Sequence, residues 1–354
     1  MFDPNYERSN FPRVRPAWLA LSEESALEPE LAVIDPHHHL WDVESARYRA
    51  ADLVADAAAG HRVLATVFVE CKAHFDATAP AAFQPVGETR FAVEEGRIAA
   101  ACRGGHDGLV KGIVAYGDPD APHAREVLAA HAAAGQGRLR GVRVRAAWHA
   151  DPTFSAPADG PTEATIRSAA LDRYCELLTE LGLVLDLWVY HTQLDDAAAL
   201  AARHPGLRIV LDHCGGPLGI GPYRTQHAQV RAAWSTALAR VAAEPNVVVK
   251  IGGLAMPRTG LGFADQPSPP TGAALAERWL PYVRTCIDLF GPQRCMFESN
   301  FPVDKGSASY VAVWNAFKLS CAGDPADDRR AMLAGTAQRI YALDVTGPGE
   351  VAVS

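Results

Sequence analysis

A closed (β/α)8 barrel is the fold class this sequence predicts, and three observations predict it. Short apolar, β-branched runs alternate with longer alanine-rich stretches eight times along the chain. The short runs are hydrophobic almost without interruption, as strands covered by helices on both faces are. Eight parallel strands close a TIM barrel, and such barrels extend to the 354 residues found here as one unit. The runner-up, a doubly wound open sheet, lacks its usual G-x-G-x-x-G after the first strand.

In chain order, the predicted strands are Leu31–Ile34, Val63–Glu70, Leu109–Ala115, Gly141–Arg145, Leu183–Tyr190, Leu207–Leu211, Val247–Ile251 and Cys295–Glu298. Predicted helices lie near Glu88–Arg103, Ala121–Ala134, Thr165–Leu181, Leu194–Arg203, Gln226–Ala243, Gly272–Phe290 and Ser307–Ala322. The Pro/Gly-rich segments Asp151–Pro161 and Pro257–Gly272 follow strands 4 and 7 and read as elaborated loops at one end of the barrel. The expected division is an N-terminal extension (1–30), a barrel domain (31–345) and a C-terminal tail (346–354).

Composition excludes several classes. A formal net charge of −8, with no basic stripe, argues against nucleic-acid or anionic-membrane partners. No apolar run approaches the roughly 18 residues of a membrane span. The first residues lack the basic-then-apolar order of a secretion signal. Seven scattered cysteines without a C-x-x-C pair suit reduced thiols. The expectation is a soluble, cytoplasmic protein whose partner is a small-molecule substrate, with self-association admitted.

Three motifs carry chemistry. Asp35-Pro36-His37-His38-His39 ends strand 1, and strand alternation puts His37 and His39 on one face with His38 turned away. Two imidazoles so placed can chelate a divalent ion or polarise a carbonyl. After strand 6, Asp212-His213-Cys214-Gly215-Gly216 presents a histidine where glycines let backbone approach a ligand. At strand 8 stands Glu298-Ser299-Asn300-Phe301-Pro302-Val303-Asp304. Glu70 and Lys72 at strand 2, and Lys250 at strand 7, add charged strand-end groups, with Glu70 and Lys72 read as a possible ion pair. Arg143 and Arg145 share a face of strand 4 and could clamp a carboxylate. Trp188 and Tyr190 could form a wall, although strand aromatics are more often plain core.

The set D-x-H-x-H, D-H-x-G-x-P and S-x-x-P resembles the amidohydrolase-2 family, and within it the lactonase-type TIM-barrel branch that includes fuconolactone and pyrone-dicarboxylate lactonases. The resemblance runs from Ile34 to about Leu343, where Gly335–Tyr341 matches the family's terminal helix. It implies hydrolysis of a lactone or related cyclic ester of a small acidic or hydroxylated substrate. His37, His39 and His213 would then be catalytic, with His37 and His39 as metal ligands. Glu70, Lys72, Arg143, Arg145, Trp188, Tyr190 and Lys250 would line the substrate site.

Two departures matter. The family usually reads S-D-x-P after strand 8, with the aspartate as metal ligand or base; this chain has Asn300, whose amide is a poor base and a poor ligand. The base is then expected to be Glu298, raised toward neutrality by burial, or else Asp304, closer to solvent, or His213. Glu298 could instead be a buried partner of Lys250 or an arginine. Strand 5 carries no histidine before His191, so at most one divalent ion, such as zinc, is expected, or none. The alternatives are a non-oxidative decarboxylase of the same superfamily and a catalytically altered, ligand-binding barrel.

Overall fold

The computed structural model describes residues 13–43, 46–154 and 160–345. The C-terminal tail, residues 1–12 of the N-terminal extension and 155–159 of the loop after strand 4 lie outside the described residues. Eight parallel strands form one sheet in sequential order: β1 (Val33–His38), β2 (Val63–Val69), β3 (Gly112–Tyr116), β4 (Leu139–Arg145), β5 (Val184–Trp188), β6 (Ile209–Leu211), β7 (Val247–Ile251) and β8 (Cys295–Phe297). Each is followed by a helix: α1 (Ala50–Ala57), α2 (Val86–Ala101), α3 (Ala124–Gly135), α4 (Ala169–Leu181), α5 (Leu194–Arg203), α6 (His227–Ala242), α7 (Gly272–Phe290) and α8 (Tyr310–Ser320). This is the expected (β/α)8 barrel.

Local chemistry starts several of these helices. Ser168, Thr271 and Ser309 cap α4, α7 and α8 by accepting the N–H of Leu171, Ala274 and Ala312. No helix among the described residues is long and apolar enough to cross a membrane. All seven cysteines are free thiols.

Two apolar layers hold the barrel. Outward residues of the strands, such as Val33, Phe68, Val142, Leu185 and Ile251, pack under the helices. Inward residues Ile34, Val67, Val114, Val210, Val248 and Met296 fill the interior, and the terminal helix closes its floor with Ala337, Ile340 and Tyr341.

The seam between β1 and β8 is built differently. It has one isolated bridge, His38 to Phe301, rather than a ladder. Asn300 N–H donates to the His37 carbonyl at 3.0 Å, and His39 N–H donates to the Phe301 carbonyl at 2.7 Å. Asp35 latches the two sides: it accepts from Ser299 N–H (3.0 Å), Ser299 Oγ–H (2.5 Å) and Tyr310 O–H (3.1 Å).

Some boundaries move. β1 begins later than expected and runs through Pro36 to His38, with its register slipping between Asp35 and His38, so the histidine motif lies on the strand itself. β3 starts at Gly112 because Val110 takes a left-handed φ of 56°. The first barrel helix, α1, was not predicted; it is only eight residues long, too short for its periodicity to stand out.

Candidate active site

The candidate side chains gather at the C-terminal mouth of the barrel. His37 and His39 share a face, their Nε2 atoms 3.3 Å apart, while His38 turns outward to the Thr66 hydroxyl at 2.9 Å. His213 joins from β6, its ring centroid 4.5 Å from that of His37. His39 Nδ1–H donates to the Val69 carbonyl at 2.8 Å, which leaves its Nε2 a bare lone pair aimed at His37. Burial, with Lys250 beside His37 and Arg143 beside His39, holds both imidazoles well below their usual pKa, so both are neutral at pH 7.

Glu298 stands behind this cluster, fully buried. One oxygen is 2.6 Å from His213 Nδ1 and also accepts the His213 backbone N–H at 3.2 Å; the other is 2.9 Å from His37 Nδ1. This grip offsets the left-handed φ of 54° at both His213 and Cys214, a conformation that costs on the order of 1–3 kcal/mol per residue. Two glycines past β7 make the room. A Cβ on Gly252 would lie 2.3 Å from Glu298 Cγ, and one on Gly253 would lie 2.8 Å from the His213 ring.

The expected pKa of Glu298 is corrected here. Burial does push the carboxyl up, but the His213 and His37 imidazoles outweigh it and hold the group at about 2. Asp304 is corrected too. It is not a solvated loop acid: it is buried, accepts from Asn300 Nδ2–H at 2.9 Å and Ala255 N–H at 3.1 Å, and is pushed well above the usual carboxyl range by burial. Asn300 thus turns its amide to Asp304, while its backbone forms part of the seam.

Beneath the imidazoles, Lys250 is fully buried and pairs with Asp186 (2.5 Å) and Asp212 (3.2 Å), with its Nζ 3.2 Å from His37 Nδ1. Burial lowers the ammonium's pKa, but the two aspartates outweigh it and keep Lys250 charged. Tyr341 reaches up from the floor and donates to the Asp186 carboxylate, at 2.9 and 2.8 Å from its two oxygens. Glu298 is therefore the partner of two histidines, and Lys250 is the partner of two aspartates.

The expected Glu70–Lys72 pair is replaced by another. Glu70 accepts from Arg143 Nε at 2.8 Å and from Arg145 Nε at 2.6 Å and Nη2 at 3.0 Å. Cross-strand neighbours capture the carboxylate, because Lys72 leaves the strand direction at a φ of 61° and sets its ammonium over the Tyr116 ring. Arg143 Nη1 also lies 3.2 Å from His37 Nε2. On the far side, Trp188 meets the His213 ring edge-on at 4.7 Å, and Tyr190 accepts from Arg258 Nη1 at 2.8 Å.

The donor set fits one divalent ion. His37, Asp212 and His213 each present a ligand atom within 4.8 Å of the other two, and no other such group occurs among the described residues. Asp212 is fully buried beside the Lys250 ammonium, and neither of its oxygens has a well-directed hydrogen bond, so both keep lone pairs for a ligand role. Neutral imidazole and carboxylate are the ligands such an ion takes.

Asp212, Asp186, Tyr341 and Arg258 were not singled out from the sequence. Asp212 carried a readable signal: Val210 points inward on β6, so Asp212, two residues on, points inward as well.

The family profile described as Amidohydrolase matches residues 34–343. An uncharacterised protein of Sinorhizobium fredii is 31% identical over 336 residues, covering 88% of this chain and 99% of that one. L-fucono-1,5-lactonase of Burkholderia multivorans is 33% identical over 335 residues, covering 88% and 96%. Among solved structures, a Burkholderia multivorans amidohydrolase with bound HEPES gives a TM-score of 0.65 at 28% identity, covering 88% of this chain and 99% of that one. A second crystal form, with bound zinc, gives 0.65 at 26% identity over the same shares. With the barrel, the motifs and the match over nearly the whole length in agreement, this chain belongs to the amidohydrolase family.

Proposed function

We propose that the protein hydrolyses a small lactone, with His213 as the proton-transferring base and Glu298 as the residue that positions it. The observation that supports this most is the 2.6 Å pair between Glu298 and His213 Nδ1. A carboxylate there fixes the tautomer, presents Nε2 as the acceptor, and stabilises the imidazolium formed when Nε2 takes a proton from water. The water oxygen then bonds to the lactone carbonyl. When the ring C–O bond breaks, the departing alkoxide takes the proton back from His213, giving a hydroxy acid.

Lys250 and Arg143, each 3.2 Å from a nitrogen of His37, place fixed positive charge where the oxyanion develops. A divalent ion, such as the zinc of the Burkholderia multivorans structure, would be held by His37 and Asp212, the two members of that donor set other than His213, and would supply Lewis-acid polarisation of the carbonyl. Lactone as the substrate class follows the lactonase relative.

The test is acid release from a panel of γ- and δ-lactones, measured on chelator-treated protein with and without added zinc. Ring opening is expected, with His213→Asn lowering turnover by roughly 10²–10⁴. Glu298→Gln should lower kcat while leaving KM near its starting value. A folded Glu298→Gln protein with unchanged kcat would remove the pair from the mechanism. The absence of acid release from any lactone would remove the lactonase reading.

A further inference from the structure

Beside His213, two loops of the mouth meet at one histidine that the mechanism does not use. Phe154 from the loop after β4, Tyr190 from the loop after β5 and Leu218 from the loop after β6 form an apolar cluster separate from the barrel core. Trp188 and Tyr223 pack against it. Trp188 carries the contact onward, edge-on to the His213 ring at 4.7 Å. The loops after β4 and β6 are tied by His149, whose Nε2 lies 2.8 Å from the Tyr223 hydroxyl. They press close beside that bond: a Cβ on Gly221 would lie 3.2 Å from the Thr153 side chain.

The two partners of His149 fix its protonation. Its Nδ1 accepts the Asp151 backbone N–H at 2.9 Å, so the neutral ring carries its proton on Nε2 and donates it to the Tyr223 oxygen. A second proton has no place there, because an Nδ1–H would point at the Asp151 N–H. The titratable neighbours are Asp151 on its own loop, His191 from the loop after β5 and Tyr223 from the loop after β6. Arg258, from the loop after β7, stands one residue further off, on the Tyr190 hydroxyl. Asp151 favours an imidazolium, but its carboxylate already accepts the Thr153 N–H at 2.9 Å. Burial outweighs Asp151 and lowers the His149 pKa, and burial also holds His191 neutral, at about 4.

We propose that His149 is an acid-released latch: neutral, it holds the loop after β4 against the loop after β6, and protonated, it lets go and loosens the aromatic wall beside His213. The sign follows from the direction of the shift. A base whose folded pKa is lowered contributes its stability fully above the ordinary imidazole value of about 6.5 and loses it as the pH falls. Acid then acts through two histidines with different signatures. Protonation of His213 removes the base and lowers kcat, whereas protonation of His149 loosens the wall and raises KM. The latch itself stands whether or not the substrate is a lactone.

The test is amide hydrogen exchange of the full-length protein between about pH 7.5 and about pH 5, corrected for intrinsic rates. In the wild type, protection of residues 149–154 is expected to fall roughly three- to tenfold across that range, while α4 keeps its own. His149→Gln replaces the ring with an amide that donates and accepts but does not titrate, so its protection should not change with pH. Tyr223→Phe removes the acceptor and should leave the segment poorly protected at both ends of the range. The proposal is overturned if wild-type protection is flat with pH, or if its acid loss survives in folded His149→Gln. Should that variant fail to fold, the NMR titration of the wild-type His149 ring decides: a pKa at or above the ordinary value overturns the latch. On any lactone that is opened, KM should rise in acid for the wild type and not for His149→Gln, while kcat falls in both. A KM rise shared by both proteins overturns the link from the latch to the mouth. If no lactone is opened, the lactonase reading fails and the exchange result still decides the latch.

Discussion

The two ends of the barrel interior are made of opposite materials. At the floor, Ile34, Val67, Val210, Val248 and Met296 interdigitate under the terminal helix without a charge among them. At the mouth, a few residues further along the same strands, Glu70, Arg143, Asp186, Asp212, Lys250 and Glu298 are just as buried. Burial of apolar area at the floor stabilises the fold at roughly 25 cal/mol per Å². Burial of charge at the mouth costs several kcal/mol per ion before pairing offsets it. A chain that buries both has its apolar stabilisation at one end and its ionisable groups at the other. Tyr341 links them, standing in the floor layer and donating to Asp186.

Three substitutions can break or sharpen this contrast. The largest expected effect is that of Lys250→Met, which leaves Asp186 and Asp212 buried with no ammonium between them. A loss of about 3–5 kcal/mol in urea unfolding is expected; an unchanged midpoint would show that the mouth network has no hold on the fold. Tyr341→Phe comes next. It removes only the hydroxyl that Asp186 accepts and should cost about 1–3 kcal/mol. Because Asp186 pairs with Lys250, a fall in kcat should accompany the loss, as no other floor residue would produce. The smallest is Ile34→Val, at about 0.5–1.5 kcal/mol in thermal or urea unfolding. Turnover per folded molecule should not change. If it does, the floor and mouth are mechanically coupled and the division fails.

What the sequence made legible follows the same line. The barrel could be read because strand and helix periodicities are local, and alternation alone separated His37 and His39 from His38. The carboxylates could not be read so well. Glu298 was expected to be raised by burial, but the outcome depends on two imidazoles brought from β1 and β6. Glu70 was assigned its neighbour in sequence, Lys72, whereas its partners come from β4, more than seventy residues away. Asp304 reads as a loop acid until Asn300 and the loop after β7 enclose it. Position along a strand is written locally; the charge state of a buried group is written by whatever the barrel brings against it.

The seam gives the mouth a mechanical role. Elsewhere the sheet is held by ladders, but β1 and β8 meet through two backbone hydrogen bonds and the Asp35 latch. Sub-global opening of the barrel should therefore start along this line, and the His39 and Asn300 amides should be its hydrogen-exchange reporters. His37 and Glu298 stand on opposite lips of the seam, 2.9 Å apart. A ligand that bridges them acts as a fastener for the barrel, and its affinity can be read as slowed exchange at those two amides.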